Sequence, residues 1–226
     1  MILITGASKG IGYFLMQKFM DEGEDVIGIY NNTIPKEHET LMYKVDIANP
    51  EEVKNFAAAN DDKLNQLILI NCAGSNYNAF AHKADPAKWA QLITVNLVGT
   101  FHMINALLPK MREQNFGRII NFASIVAQSG IPGTSAYAAS KAGLWGMTKA
   151  IAVENASKGI TINNLNLGYF DIGMIQDVPA EMQEIIKSKI PGKKFGNPDD
   201  IFKVVKYLSA ASYITGTSVD VNGGLF

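Results

Sequence analysis

Short apolar runs alternate with longer stretches of helical period along the whole chain. Ile2 to Thr5, Val26 to Tyr30, Met42 to Val45, Leu67 to Ile70, Arg118 to Phe122, Ile160 to Leu167 and Thr217 to Val221 read as strands. The run Leu67-Ile68-Leu69-Ile70 has no polar alternation, which is the pattern of a strand buried on both faces. Between the strands, helical period covers Ile11 to Glu22, a segment opening at Pro50, Asp85 to Gln114 with expected breaks near Pro86 and Pro109, and Ala136 to Ala156. Buried strands alternating with helices specify a parallel sheet covered on both faces, a doubly wound α/β architecture. No internal repeat and no Pro/Ser-rich linker interrupts it, so residues 1–226 are expected to form a single domain.

Composition narrows the class. With 47% hydrophobic and 18% charged residues, the 226-residue chain buries a core, which excludes intrinsic disorder. Its 20 Lys and Arg against 21 Asp and Glu give a net charge of −1, so no electrostatic case for nucleic acid exists. Cys72 is the only cysteine, which rules out an intramolecular disulfide or a cysteine-based zinc cluster. His38, His82 and His102 lack the i, i+4 spacing of a metal site, and no metal is expected. No apolar run approaches the roughly 20 residues of a membrane helix. The opening Met1-Ile2-Leu3-Ile4-Thr5-Gly6 lacks the basic region and long apolar stretch of a signal peptide. A soluble cytoplasmic protein without membrane partners is the expectation.

Thr5-Gly6-Ala7-Ser8-Lys9-Gly10-Ile11-Gly12 joins the first strand to the first helix. Gly6 permits a tight turn, Gly10 removes a Cβ that would block an approaching pyrophosphate, and Gly12 lets the helix pack close to the sheet. The helix N-terminus offers free N–H groups to phosphate. The spacing is G-x-x-x-G-x-G rather than G-x-G-x-x-G, and turns collect glycine for other reasons. At the head of a βαβ pattern it reads as a dinucleotide-binding turn in a Rossmann-type sheet.

Further residues carry chemistry. Tyr137 and Lys141 stand four apart on an expected helix and share a face. An ammonium nearby favours phenolate and is expected to lower the tyrosine pKa, suiting it to proton exchange with an alcohol or ketone. Such pairs are also common on helix surfaces. Ser124 follows a buried strand at the carboxyl edge, where its hydroxyl can donate to a carbonyl or simply serve a turn. Asn96 lies in a helical stretch despite poor helix propensity, which suggests a polar core contact or a small kink.

Thr5 to Gly12, Asn71-Cys72-Ala73-Gly74, Asn96, Ser124, Tyr137-Ala-Ala-Ser-Lys141 and Asn222-Gly223-Gly224 together resemble the short-chain dehydrogenase/reductase family in order and spacing. Within that family the chain is most similar to 3-oxoacyl-carrier-protein reductases. The resemblance implies a tetrad with Tyr137 as acid/base, Ser124 orienting the carbonyl, Lys141 tuning the tyrosine and holding the nicotinamide ribose, and Asn96 holding a relay water. It implies cofactor contacts at Gly6, Ser8, Lys9, Gly10, Ile11, Gly12, Asn31, Asp46, Ile47, Asn71, Cys72, Ala73, Gly74, Gly168, Phe170 and Ile172, with Tyr137 and Lys141. It also implies a homotetramer or homodimer, and a substrate lid over about 173–195. Met174, Ile175, Val178, Met182, Ile185 and Ile186 would give that lid an apolar wall, though helix packing explains them equally well.

The second strand ends Tyr30-Asn31-Asn32, without the acid that binds adenosine ribose hydroxyls and repels a 2′-phosphate. Lys9 in the glycine turn is placed either to pair with that phosphate or to sit in solvent. Together they favour NADP(H) over NAD(H). Asp46 resembles the acceptor for the adenine amino group, or is a helix N-terminal acid before Pro50. Departures from the family pattern are Asn166-Leu167-Gly168 in place of Asn/Ala-Pro-Gly, Ile172 in place of threonine, and Cys72 in place of asparagine. They leave nicotinamide orientation to backbone groups near Phe170 and Ile172. Three functions are consistent with these residues: reduction of a 3-oxoacyl or similar ketone, with free or carrier-bound substrate; oxidoreduction of a sugar, steroid or other secondary alcohol; or dinucleotide sensing without turnover.

Overall fold

The computed structural model describes residues 1–35 and 37–225. Its elements run β1 (Ile2–Thr5), α1 (Gly10–Asp21), β2 (Val26–Tyr30), β3 (Met42–Lys44), α2 (Pro50–Ala59), β4 (Ile68–Asn71), α3 (Pro86–Ile93), α4 (Gly99–Gln114), β5 (Gly117–Ser124), the single turn α5 (Val126–Ser129), α6 (Ser135–Asn155), β6 (Ile160–Leu167), α7 (Ala180–Lys189), α8 (Pro198–Ala210) and β7 (Ser218–Val221). All strand pairs are parallel, in the order β3-β2-β1-β4-β5-β6-β7. The order reverses between β1 and β4, and the crevice outside the carboxyl ends of these two strands is where such sheets take ligands.

Two apolar layers hold the sheet. On one face Leu3, Leu69, Ile119 and Ile162 pack against Met103, Ile104 and Leu107 of α4 and Ile151 of α6. On the other, Ile4, Ile70, Ile120 and Leu165 meet Leu15 and Phe19 of α1 and Ile201 and Val205 of α8. Burial of both faces explains why the central strands read as continuous apolar runs. Helices α2, α3 and α8 begin alike: Asn49, Asp85 and Asn197 accept from the N–H groups of Glu51, Ala87 and Asp199, with proline at the first helical position. Helix α1 begins on Lys9 with no side-chain cap and no acid in its first turn.

Three boundaries differ from the sequence expectation. Strand β5 runs on to Ser124, paired with Leu167 of β6, so Ser124 ends the strand rather than following it. Pro109 does not break α4; the carbonyl it frees, that of Asn105, belongs to an exposed residue, so solvent can take the place of the lost donor. The discontinuity falls at Asn96 instead, where residues Thr94–Val98 widen into a π-helical turn, the kink that asparagine suggested. Pro86–Gln114 thus forms one 29-residue helical column, long and apolar enough by length and composition to cross a membrane. Its Leu92, Met103, Ile104, Leu107 and Met111 are buried within the protein, as in a core helix.

A row of polar side chains crosses this apolar sheet. Thr5, Asn71, Asn121, Asn164 and Ser218 are consecutive register partners on β1, β4, β5, β6 and β7. Asn71 Nδ2 donates to Asn121 Oδ1 at 2.9 Å, Asn121 Nδ2 to Asn164 Oδ1 at 3.3 Å, and Asn164 Nδ2 to Ser218 Oγ at 3.1 Å. Thr148 of α6 accepts from Asn121 and donates to Asn164, closing the network in the interior.

Candidate active site

The turn after β1 and the segment after β4 touch at the crevice. A Cβ on Gly6, whose φ is +69°, would stand 2.8 Å from Ala73 Cα, and one on Gly12 would stand 2.3 Å from the Gly6 carbonyl oxygen. Thr5 Oγ1 accepts from Ala73 N at 3.0 Å and fixes this contact. Gly10 differs. At φ +57°, its Cβ position has only Gly173 Cα within 4 Å, at 3.3 Å, so the space before the α1 N-terminus is open. Packing therefore demands Gly6 and Gly12, and Gly10 faces the cleft.

Around the other side of the cleft, β5, α6 and the π turn bring four polar residues together. Lys141 is buried one helical turn after Tyr137, its Nζ 5.6 Å from the phenol ring centre and donating to the Phe122 carbonyl at 2.6 Å. Ser124 accepts from Val126 N at 3.2 Å and lies close enough to the Tyr137 hydroxyl to favour its ionised form. Asn96, wholly buried, accepts from Ser75 N at 2.8 Å and donates to Ser75 O at 3.0 Å and Ser140 Oγ at 3.3 Å. Its amide clamps the segment after β4 onto α6. Gly74 lies between, where a Cβ would be 3.3 Å from Asn96 Oδ1 and 3.7 Å from Lys141 Nζ.

Burial sets the electrostatics, and here the sequence expectation is corrected. The Tyr137 hydroxyl is pushed up to about 12, first by burial, with Ser124 pulling it back and Cys72 and Tyr169 adding to the rise. The Lys141 ammonium is pushed down to about 8 by the same burial, opposed by Cys72. Burial also pushes the Cys72 thiol up to about 12, against the pull of Lys141 and of the Gly12 N–H. An i, i+4 cation alone would have lowered the tyrosine. Loss of water by the phenol decides the direction instead, and Lys141 is not among the groups that shift it.

The remaining expected residues divide. Lys9 is exposed, and Ser8 and Asn31 are half-buried. Asp46 Oδ1 accepts from Ala48 N at 2.9 Å. The Ile47 side chain turns into the core, with Gly99 so close that a Cβ there would be 2.8 Å from Ile47 Cγ1, and the Ile47 carbonyl bonds His102 Nδ1 at 2.9 Å. Phe170 packs its ring over Gly196, and Ile172 leans on the core, so neither side chain is free to contact a ligand without moving. Gly168 sits against Asn222, where a Cβ would be 2.7 Å from its Cα. His82 lies beside Phe80 and His38 beside Glu37, far from forming a cluster with His102. Sequence reasoning missed Tyr169, a half-buried phenol close enough to Tyr137 to raise its pKa. Its position directly after Gly168 was the only available signal.

The sequence pattern described as short chain dehydrogenase matches residues 1–183. The chain belongs to the short-chain dehydrogenase family. It is 36% identical over 234 residues to an acetoacetyl-CoA reductase of Shinella zoogloeoides, covering 99% of this chain and 97% of that one. It is 34% identical over 240 residues to nodulation protein G of Azospirillum brasilense, with 99% and 96% covered. It is 34% identical over 236 residues to a 3-oxoacyl-[acyl-carrier-protein] reductase of Thermotoga maritima, again with 99% and 96% covered. This short-chain dehydrogenase is accordingly an oxidoreductase acting between C=O and CH–OH with a nicotinamide dinucleotide. The residues present fit that group: Gly10 leaves the uncapped α1 N-terminus open, and Asn71 Oδ1, at the end of β4, is buried without a partner among the described residues.

Proposed function

We propose that this dehydrogenase reduces 3-oxoacyl thioesters to 3-hydroxyacyl thioesters with NADP(H), Tyr137 giving the proton. The observation that carries this reading is the grouping at the carboxyl edge of the sheet of Ser124, which ends β5, with Tyr137 and, 5.6 Å from its ring, the Lys141 amino group anchored on the Phe122 carbonyl, Tyr137 being held as the neutral phenol. A phenol that keeps its proton through the neutral range is a donor, which suits reduction. Ser124 would hold the ketone oxygen and Tyr137 would pass its proton to it as negative charge grows there. Lys141 would steady the resulting phenolate, and Asn96 would keep the segment after β4 in place around a relay water. The bound nicotinamide supplies the hydride.

Main-chain groups of Gly6, Ser8, Gly10, Ile11 and Gly12 would hold the pyrophosphate. Lys9 and Asn31 would take the 2′-phosphate, and Asp46 with the Ile47 backbone the adenine. Asn71, Cys72, Ala73 and Gly74 would line the ribose side, and backbone at Gly168, Phe170 and Ile172 the nicotinamide. The thioester substrate class rests on the two relatives named as acetoacetyl-CoA and 3-oxoacyl-carrier-protein reductases. We read the chain as one domain in which residues 173–195 form a lid. Exposed Val98 at the end of the π-helical turn, Phe101 on α4 and Val153 on α6, the last 85% exposed, support assembly into a homotetramer or homodimer.

Turnover with NADPH and NADH over a panel of acetoacetyl thioesters, a sugar ketone and a steroid ketone tests the reading. Fastest reduction of a thioester with NADPH supports it. Preference for a sugar or steroid overturns the substrate class, and cofactor binding without turnover of any ketone makes the chain a sensor.

A further inference from the structure

Helix α4 carries a side chain that the hydride and proton chemistry does not use and that reaches the segment between β3 and α2. His102 is half-buried, and its Nδ1 lies 2.9 Å from the Ile47 carbonyl oxygen. A carbonyl only accepts, so the ring carries a proton at Nδ1 and donates it. Gly99, three residues earlier and on the same helix face, permits the approach: a Cβ there would stand 2.8 Å from Ile47 Cγ1 and 3.1 Å from the Ile47 oxygen. Helix α4 thus offers Ile47 a notch and, beside it, a donor.

The segment held in this way is a tight turn. Asn49 N donates to the Asp46 carbonyl at 2.9 Å, Asp46 N to Glu52 Oε2 at 2.8 Å, and Ala48 N to Asp46 Oδ1 at 2.9 Å. Of the four N–H groups from Asp46 to Asn49, only that of Ile47 has no partner among the described residues. With Oδ1 taken by the turn, Oδ2 of Asp46 is the oxygen left to a ligand. The Ile47 carbonyl and the Ala48 N–H belong to one planar peptide unit. His102 fixes that plane at its oxygen, and the N–H of the same plane aims the Asp46 carboxylate.

We propose that His102 is a positioning residue for the adenine end of the dinucleotide, acting through the Ile47–Ala48 peptide on the Asp46 carboxylate. The proposal rests on the reading above that Asp46 and the Ile47 backbone take the adenine. Without the imidazole donor the Ile47 oxygen loses its partner, the peptide plane turns to find another, and the N–H that aims Asp46 turns with it.

The test compares NADPH with its hypoxanthine analogue, in which an oxo group replaces the 6-amino group of adenine. Nicotinamide fluorescence reads Kd for both, because that half of the molecule is the same. NADH and its own hypoxanthine analogue serve equally if the protein prefers that cofactor. In His102→Leu the NADPH Kd should rise about three- to tenfold, the worth of one hydrogen bond, while the analogue Kd stays within about twofold. His102→Asn, whose amide nitrogen takes the place of Nδ1, should restore the discrimination, and kcat at saturating cofactor should be unchanged in both variants. His102→Ala replaces the leucine variant if that one folds poorly. Equal rises for the two dinucleotides, as a merely structural role would give, would overturn the proposal. So would an unchanged ratio in His102→Leu, or an asparagine variant as poor as the leucine one. If the unmodified protein binds both dinucleotides equally, the adenine reading of Asp46 fails and the proposal falls with it. If Asp46→Ala abolishes the discrimination and His102→Leu leaves it intact, the role of His102 alone is refuted.

Discussion

Lys141→Met should make the protein more stable at neutral pH while removing its activity. The ammonium is buried, and its pKa falls from 10.5 to about 8. At about 1.4 kcal/mol for each pKa unit, keeping it charged in the folded state costs ~3 kcal/mol. Methionine removes that charge and fills similar space with apolar atoms. It also leaves the Phe122 carbonyl without its donor, at a cost of roughly 1–3 kcal/mol. The balance is a gain of about 1 kcal/mol near pH 7. Its pH dependence is the sharper signature. Because the folded-state pKa lies below the unfolded one, the unfolded chain binds more protons between about pH 8 and 10.5, so wild-type stability from this group rises with pH there. The variant lacks that rise, and its advantage must shrink as pH increases. Cys72 acts oppositely, since a thiol raised from 9.0 to about 12 makes stability fall as pH climbs past 9. Urea unfolding of wild type and variant in a Cys72→Ala background, from pH 7 to 10, isolates the lysine. A variant less stable at pH 7, or an advantage that does not shrink with pH, would refute the argument that burial dominates this site.

Tyr137→Phe should reduce turnover by at least a hundredfold and leave the cofactor Kd within about twofold, because the ring packing stays and only the transferable proton goes; steady-state kinetics beside fluorescence titration checks both. Lys9→Ala should erase most of a several-fold to tenfold NADPH preference, the worth of one partly exposed ion pair, and Asn31→Asp should turn the preference towards NADH. Dissociation constants for the two cofactors at low and moderate salt read this directly. Asn121→Leu should destabilise the fold by about 2–4 kcal/mol in chemical denaturation, since it strands polar atoms of Asn71, Thr148 and Asn164 inside the sheet.

The fold was legible because burial on both sheet faces leaves a signature that no surface strand shares. Strand ends were less so. Ala123 and Ser124 have no strong strand preference of their own, and only their register with Asn166 and Leu167 draws them into β5. The glycine turn was readable as a turn, but that Gly6 faces Ala73 while Gly10 faces the cleft depends on how two distant loops meet. The direction of the Tyr137 shift was misjudged because spacing along a helix reports distance between charges and says nothing about lost water. Tyr169 escaped notice for a related reason: its approach to Tyr137 is made by the backbone path after β6, which no periodicity encodes.

The polar row across the sheet bears on how the chain finds its alignment. Strands of Ile, Leu and Val discriminate poorly between one pairing and the next, since sliding apolar against apolar changes little. Slide β6 by one residue against β5, and Asn121 meets Asn163 or Leu165 instead of Asn164. Several amide and hydroxyl groups then lie in the interior unpartnered, at roughly 1–3 kcal/mol each. Misaligned sheets are thereby separated from the native one by a wide energy gap, which matters in a parallel architecture whose distant pairings form slowly. The last rung is Ser218 on β7, supplied close to the C-terminus, so the row is completed only when the final strand has docked in its proper frame.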